Sequence, residues 1–136
     1  MPFEQIPVCI DASSSGDLGI LRHLGRQISQ NVAEAGDDER LTLHLAAVIS
    51  NNFVNHLYAK AFQLLEDKNL APSLLYPLIL ETALKIQDNP PLASQTGPAI
   101  RGDQPTISRH LEYLSGYPDI REIYLLLTQN IQSGSL

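Results

Sequence analysis

The feature that most constrains this fold is a long stretch without glycine or proline, "DDERLTLHLAAVISNNFVNHLYAKAFQLLEDKN" (Asp37 to Asn69). Glycine and proline are the residues that interrupt helices, so their absence predicts one continuous helix from about Asp38 to Lys68. The acidic residues at its start favour the positive end of a helix dipole. Apolar side chains fall on nearly every side of this helix, and we therefore expect it to be buried in a bundle or between subunits.

Three shorter helices are predicted after the long one. The segment "LAPSLLYPLILETALKI" (residues 70–86) has a helical pattern in which Pro77 either kinks the helix or marks its true start. Residues 87–103 are rich in proline and glycine, which predicts a loop. The segments "QPTISRHLEYLSGY" (residues 104–117) and "PDIREIYLLLTQNI" (residues 118–131) then predict two further helices.

The beginning of the chain has a different character. "IPVCI" (residues 6–10) is short, rich in β-branched residues and followed by a turn, which predicts a strand. A helix capped by Asp17 follows, and "NVAEA" (residues 31–35) predicts a second strand. Two short strands are marginal by themselves, so residues 1–36 are expected to be the end of a larger α/β sheet, and residues 37–136 a separate helical domain.

Composition narrows the function classes. The 136 residues carry a net charge of −6, which argues against nucleic acid and anionic membrane surfaces as partners. A single cysteine and the absence of a signal peptide predict a cytoplasmic protein without disulfides. The four histidines lack metal-ligand spacing, so we expect no metal site. The sequence contains neither GxGxxG nor a P-loop, the turns that bind nucleotide phosphates.

Polar residues cluster on one side of the long helix. His44, Asn51, Asn52 and Asn55 fall within an arc of about 100° on a regular α-helix. Asparagine is a mediocre helix former, and a buried amide needs hydrogen-bond partners. Either these side chains bond to neighbouring backbone, or together with the histidine they form a functional site.

The loop "SQTGPAIRGD" (residues 94–103) is the other unusual segment. Gly97 and Pro98 indicate a turn, or a place where a ligand approaches the main chain closely. Arg101 and Asp103 form a structural ion pair in one interpretation and part of a binding site in the other. An adhesion role for the Arg-Gly-Asp tripeptide is disfavoured, because no secretory signal or disulfide framework accompanies it.

Two motifs together carry a family resemblance. "HLAAVISNNFVNHLY" (residues 44–58) and "QTGPAIRGD" (residues 95–103), followed by "TISRHLEYL", resemble the C-terminal helical domain of a group of bacterial NAD(P) oxidoreductase-like proteins. In that group this domain of unknown function follows a Rossmann-like domain, and the group is similar to pyrroline-5-carboxylate reductases and 6-phosphogluconate dehydrogenases. The resemblance implies a mainly α fold, a 6-phosphogluconate dehydrogenase C-terminal-like helical bundle, preceded by a β-α-β remnant of the Rossmann-like domain.

The same resemblance implies roles for residues of the long helix. Asn52 and Asn55 would bond the substrate or the cofactor amide, and His44 would be the candidate proton donor. In the wider architecture a lysine on this helix often assists proton transfer. Lys60, the lysine inside the helix, lies too far along it, which leaves the identity of the acid open.

Loop residues also receive roles from the resemblance. Gln95, Thr96 and the backbone at Gly97 would bind an oxyanion, and Arg101 would clamp a substrate carboxylate or a cofactor phosphate. Asp103 would either orient the arginine or cap the next helix. The loop and the long helix would line the cleft that faces the nicotinamide.

The expected function is that of a substrate-binding and dimerisation domain (residues 37–136) of an NAD(P)-dependent oxidoreductase that transfers hydride to a small carbonyl or imine compound. NADP or NAD would be bound mainly by the missing N-terminal domain, so we expect this chain alone to be inactive. We expect a homodimer. The alternative is a non-catalytic helical oligomerisation module, which the apolar segments Leu74–Leu84 and Ile120–Leu127 favour.

Overall fold

A computed structural model describes residues 2–134 of the chain. The fold is mainly helical with a two-stranded parallel sheet near its beginning, as the sequence predicts. The chain divides into two compact units, one ending at Ala59 and the other beginning at Lys60. No helix among residues 2–134 is long and apolar enough to cross a membrane. The domain boundary at Gly36 stays a prediction.

The first unit begins with the β-α-β arrangement that the sequence predicts. Strand β1 (Val8–Ile10) pairs in parallel with β2 (Val32–Glu34), and helix α1 (Ser15–Ile28) connects them. Helix α1 packs against both strands. Gly25 permits this packing, because a Cβ there would lie only 3.1 Å from Val32 Cγ1.

The cap of α1 differs from the prediction. Ser14, not Asp17, precedes the helix with an extended backbone, and its Oγ accepts a hydrogen bond of 3.1 Å from the Asp17 amide. The Ser14 hydroxyl in turn donates to Asp17 Oδ2 over 2.7 Å. Asp17 is therefore a first-turn residue that supports the serine cap, and the prediction that it caps the helix was wrong.

The long helix is present but is not uniformly α-helical. It consists of α2 (Asp37–Ala47), a π-helical segment (Val48–Phe53) and α3 (Val54–Glu66). The Gly36 amide donates to Glu39 Oε2 over 2.7 Å and so fixes the beginning of α2. The prediction of an unbroken α-helix is corrected at the π segment.

The expectation that the long helix is buried is not met within this chain. None of the residues from Asp37 to Glu66 is buried. Several large apolar residues of the first unit are more than half exposed there: Leu41, Leu43, Leu45, Ile49 and Phe53. The chain by itself does not supply the packing surface that such a helix requires.

The second unit contains the end of α3 and three further α-helices: α4 (Tyr76–Asp88), α5 (Gln104–Tyr113) and α6 (Pro118–Ser133). Pro77 lies in the first turn of α4, where the missing amide hydrogen costs nothing, and it therefore marks the start of the helix rather than a kink.

Helices α5 and α6 pack against each other and hold the core of the second unit. The buried residues come from these helices, the turn between them and the preceding loop: Ala99, Ile107, Leu114, Ile120 and Thr128. Helix α4 contributes no buried residue, and its side chains are mostly exposed.

Candidate functional site

The residues that the sequence singles out as a site lie in both compact units. The first unit holds those of the long helix: His44, Asn52 and Asn55. The second unit holds those of the loop: Gln95, Thr96, Gly97, Arg101 and Asp103.

The π segment coincides with the asparagine cluster. Asn51 and Asn52 lie inside Val48–Phe53, and Asn55 follows in the first turn of α3. π-Helical turns are rare and occur frequently at functional sites, because the widened turn displaces the side chains from their regular positions. The structure thus gives the asparagines an unusual backbone that the sequence pattern does not indicate.

The polar side chains of this helix are exposed and unbonded. Within residues 2–134, the side chains of His44, Asn51, Asn52 and Asn55 form no hydrogen bond. The interpretation that the amides bond to neighbouring backbone therefore does not hold among the residues that the structure describes. Their donors and acceptors are available to a ligand or to another polypeptide.

The loop before α5 is held by its own backbone. The Asp103 amide donates to Pro98 O over 2.9 Å, and the Gly102 amide donates to Ala99 O over 3.1 Å. Ala99 is buried and anchors the turn. Gly97 has φ +108° with open space where a side chain would lie, so its main chain is accessible.

Asp103 caps helix α5, which was one of the two roles inferred for it. Its Oδ1 accepts from the Thr106 amide over 3.2 Å, and its Oδ2 accepts from the Thr106 hydroxyl over 2.8 Å. These two hydrogen bonds hold the pKa of Asp103 below its ordinary value, with a smaller contribution from the positive charge of Arg101.

The structural ion pair between Arg101 and Asp103 does not form. No salt bridge joins the two side chains in the described part of the chain, and the arginine is exposed. Its guanidinium therefore has all five N–H donors available for an anionic group.

A groove of about 240 Å³ lies between α4 and the beginning of the loop. Gln95 and Thr96 line it, and the Gln95 side-chain amide donates to Thr96 O over 3.1 Å. The groove is open to ligands of modest size. Its other lining residues are Leu78, Glu81, Thr82, Lys85, Ile86, Pro91 and Ser94.

Lys60, the only lysine of the long helix, is engaged in an ion pair and not in the asparagine cluster. Its ammonium forms an ion pair with Asp119 at the beginning of α6. This partner lowers the pKa of Asp119 below its ordinary value. The lysine is thus held in the second unit as a structural contact.

Comparison with known proteins identifies the family. Residues 6–131 match the family model described as "Domain of unknown function (DUF2520)". The chain belongs to this family. No curated protein matches the chain.

Two solved structures are similar to this DUF2520 chain. One is the "putative NADP oxidoreductase BF3122" of Bacteroides fragilis, 41% identical, with a TM-score of 0.92 over 98% of this chain and 51% of that one. The other is protein TM1727 of Thermotoga maritima, 25% identical, with a TM-score of 0.78 over 96% of this chain and 53% of that one. The DUF2520 chain thus spans about half the length of the solved structures that it matches. The resemblance drawn from the sequence motifs is confirmed.

Sequence reasoning missed part of the loop groove in this DUF2520 protein. Glu81, Lys85 and Ser94 line it together with the predicted Gln95 and Thr96. The available signal was the spacing of the glutamate and the lysine, four residues apart on one face of a helix that otherwise has few charges. That spacing is common on solvated helices, so it does not point to a groove by itself.

Proposed function

We propose that this chain is the substrate-binding and dimerising part of an NADP-dependent oxidoreductase that transfers hydride to a small carbonyl or imine compound. The observation that carries the proposal is the 41% identity, over nearly the whole chain, to a protein named as an NADP oxidoreductase. The unbonded asparagines at the π segment and the unpaired arginine of the loop support it.

In the first unit, Asn52 and Asn55 orient the substrate or the carboxamide of the cofactor. An amide side chain both donates and accepts, so it can hold a carbonyl or imine group in one orientation. His44 gives a proton to the oxygen or nitrogen of the substrate when the hydride arrives, and so acts as the general acid.

In the second unit, the loop binds negative charge. Thr96, the side-chain amide of Gln95 and the accessible backbone at Gly97 contact an oxyanion. Arg101 binds a carboxylate or a phosphate oxygen pair through its planar fork. Asp103 serves this arrangement indirectly, because it fixes the end of the loop where α5 begins.

The residues present fit only part of a nicotinamide cofactor. Arg101 and the open main chain at Gly97 suit an anionic or polar group, whereas the sequence contains no glycine-rich turn for the pyrophosphate. We place the main cofactor contacts in the Rossmann-like domain that would precede residue 37, of which residues 1–36 form the end. When bound, the nicotinamide supplies the hydride.

The test uses the protein in its full natural length. Asn52→Ala and Arg101→Ala should each lower kcat/KM for NADPH-dependent reduction at least tenfold, about 1.4 kcal/mol of transition-state stabilisation. Absorbance of NADPH is followed with a panel of small aldehydes, ketones and cyclic imines.

Arg109→Ala is the matched control, because Arg109 is exposed on α5 and lines none of the grooves described above. It should leave turnover unchanged. Calorimetry that detects no NADPH binding to the full-length protein would refute the proposal.

The second candidate function is a non-catalytic oligomerisation module. The observation that favours it is the exposed apolar surface of the long helix and of α4. Under this alternative, Asn52→Ala and Arg101→Ala affect only stability, and the full-length protein shows no turnover for them to change.

A further inference from the structure

The groove beside Gln95 has a charge arrangement that the proposed function does not use. Helix α4 presents Glu81 and Lys85 to it one turn apart, and the loop presents Ser94 and Thr96. The wall also contains hydrocarbon from three residues: Leu78, Ile86 and Pro91.

The groove lies on one side of α4 only. At about 100° per residue, its five α4 residues form a single face of the helix. Tyr76, Leu80 and Leu84 lie on the opposite face and are all more than half exposed. Contact with another polypeptide along that apolar face leaves the groove open.

The two charged groups are not neutralised by each other. Glutamate and lysine four residues apart on a helix often pair, yet no ion pair joins Glu81 to Lys85 among residues 2–134. Neither side chain has a hydrogen bond in that part of the chain. A positive group, a negative group and two hydroxyls therefore lie within one small hollow, each with unused bonding capacity.

We propose that this groove binds a small zwitterion of the α-amino acid type with an aliphatic side chain. Lys85 and the hydroxyls of Ser94 and Thr96 bind the carboxylate, and Glu81 binds the ammonium group. The volume of about 240 Å³ is below the range of about 300–1,000 Å³ typical of sites for drug-sized ligands, which limits the ligand to a small molecule.

This inference rests on the proposed function only for the anion-binding role of Thr96, and it requires no reduction of the ligand. It is tested by direct binding to the full-length protein, without cofactor. Amide chemical shifts are followed by NMR during titration with L-valine, with isovalerate and with isobutylamine. The last two lack the ammonium and the carboxylate respectively.

L-Valine should bind about fivefold more tightly than either half-charged compound, as expected for one additional exposed charge contact. The shifted amides should include those of residues 94–96 and the second half of α4. Glu81→Gln should weaken L-valine about fivefold and leave isovalerate unchanged. Lys85→Gln should weaken L-valine about fivefold and leave isobutylamine unchanged.

Matched substitutions outside the groove, Glu66→Gln and Arg109→Gln, should change none of these affinities. The inference is overturned if the three compounds bind equally, if none binds, or if neither groove substitution weakens L-valine. Because no NADPH is present, such a result leaves the oxidoreductase proposal intact. Conversely, if the full-length protein shows no NADPH-dependent turnover, the proposal of zwitterion binding is not affected.

Discussion

Single glycines show how differently one residue type acts at two places in this chain. Gly97 has φ +108°, a conformation that side-chain-bearing residues rarely adopt, and Gly19 lies inside α1 with an ordinary helical backbone. Apart from the adjacent residues and the backbone of α1 itself, neither position has an atom within 4 Å of an added Cβ, so a methyl group meets no other side chain at either one. Any difference between alanine substitutions must therefore come from the backbone.

We expect Gly97→Ala to lower the free energy of unfolding by about 1 kcal/mol or more, because alanine strains the positive φ. Gly19→Ala should raise it by about 1 kcal/mol, because alanine favours the helix and restricts the unfolded chain. Urea denaturation of the two variants measures both changes. If both substitutions changed the free energy of unfolding in the same direction, the positive φ of Gly97 would be contradicted.

At the scale of the helix, the cap of α5 predicts a pH dependence. Asp103 accepts two hydrogen bonds from Thr106, and its pKa is lowered in the folded chain. A carboxyl with a lowered folded pKa contributes stability that is fully present above its unfolded pKa of about 3.9 and is lost as the pH falls through the folded value. Asp103→Asn keeps an oxygen acceptor but removes the charge.

The melting temperature of Asp103→Asn should therefore lie a few degrees below that of the unchanged protein near neutral pH, and the difference should close in strong acid. Circular dichroism melts across this pH range measure it. Glu112→Gln, an equivalent change on the same helix, should show a much smaller difference at neutral pH. A difference for Asp103→Asn that persists in acid would mean that the charge is not what stabilises the cap.

The helices and strands also show which features of the fold the sequence predicts and which it does not. The β-α-β opening follows from β-branched runs and turn residues, which act locally and so can be read locally. The choice between Ser14 and Asp17 as the cap depends on which residue has the extended backbone, and both residue types favour that place. Composition alone does not separate them.

The sequence does not predict the π segment or the exposure of the long helix, and the reason is different. The residues of Val48–Phe53 do not distinguish a π-turn from an α-turn, because the two turns differ only in the spacing of their backbone hydrogen bonds. Apolar residues such as Leu45 and Phe53 indicate that a surface needs cover, but the pattern does not say what covers it. The sequence predicts the loop residues as a group, whereas the choice between the two roles of Asp103 depends on where its carboxylate oxygens lie relative to Thr106.

At the scale of the whole molecule, exposed apolar surface indicates which faces need a binding partner. Apolar side chains that stay exposed together on one helix face mark a surface that another polypeptide covers. Tyr76, Leu80 and Leu84 of α4 form an apolar face that lies opposite the groove. We therefore expect a second copy of the chain to cover this face.

Light scattering at tens of micromolar should accordingly give the mass of a dimer. Leu80→Asp should give a monomer, because a carboxylate placed in a dry apolar contact loses its hydration without gaining a partner. Since Leu80 is exposed within the chain, the substitution should leave the helical circular dichroism unchanged. Ile20→Asp changes an equally exposed aliphatic residue on α1 and should keep the dimer. A clean monomer for the unchanged protein would mean that another polypeptide covers this face.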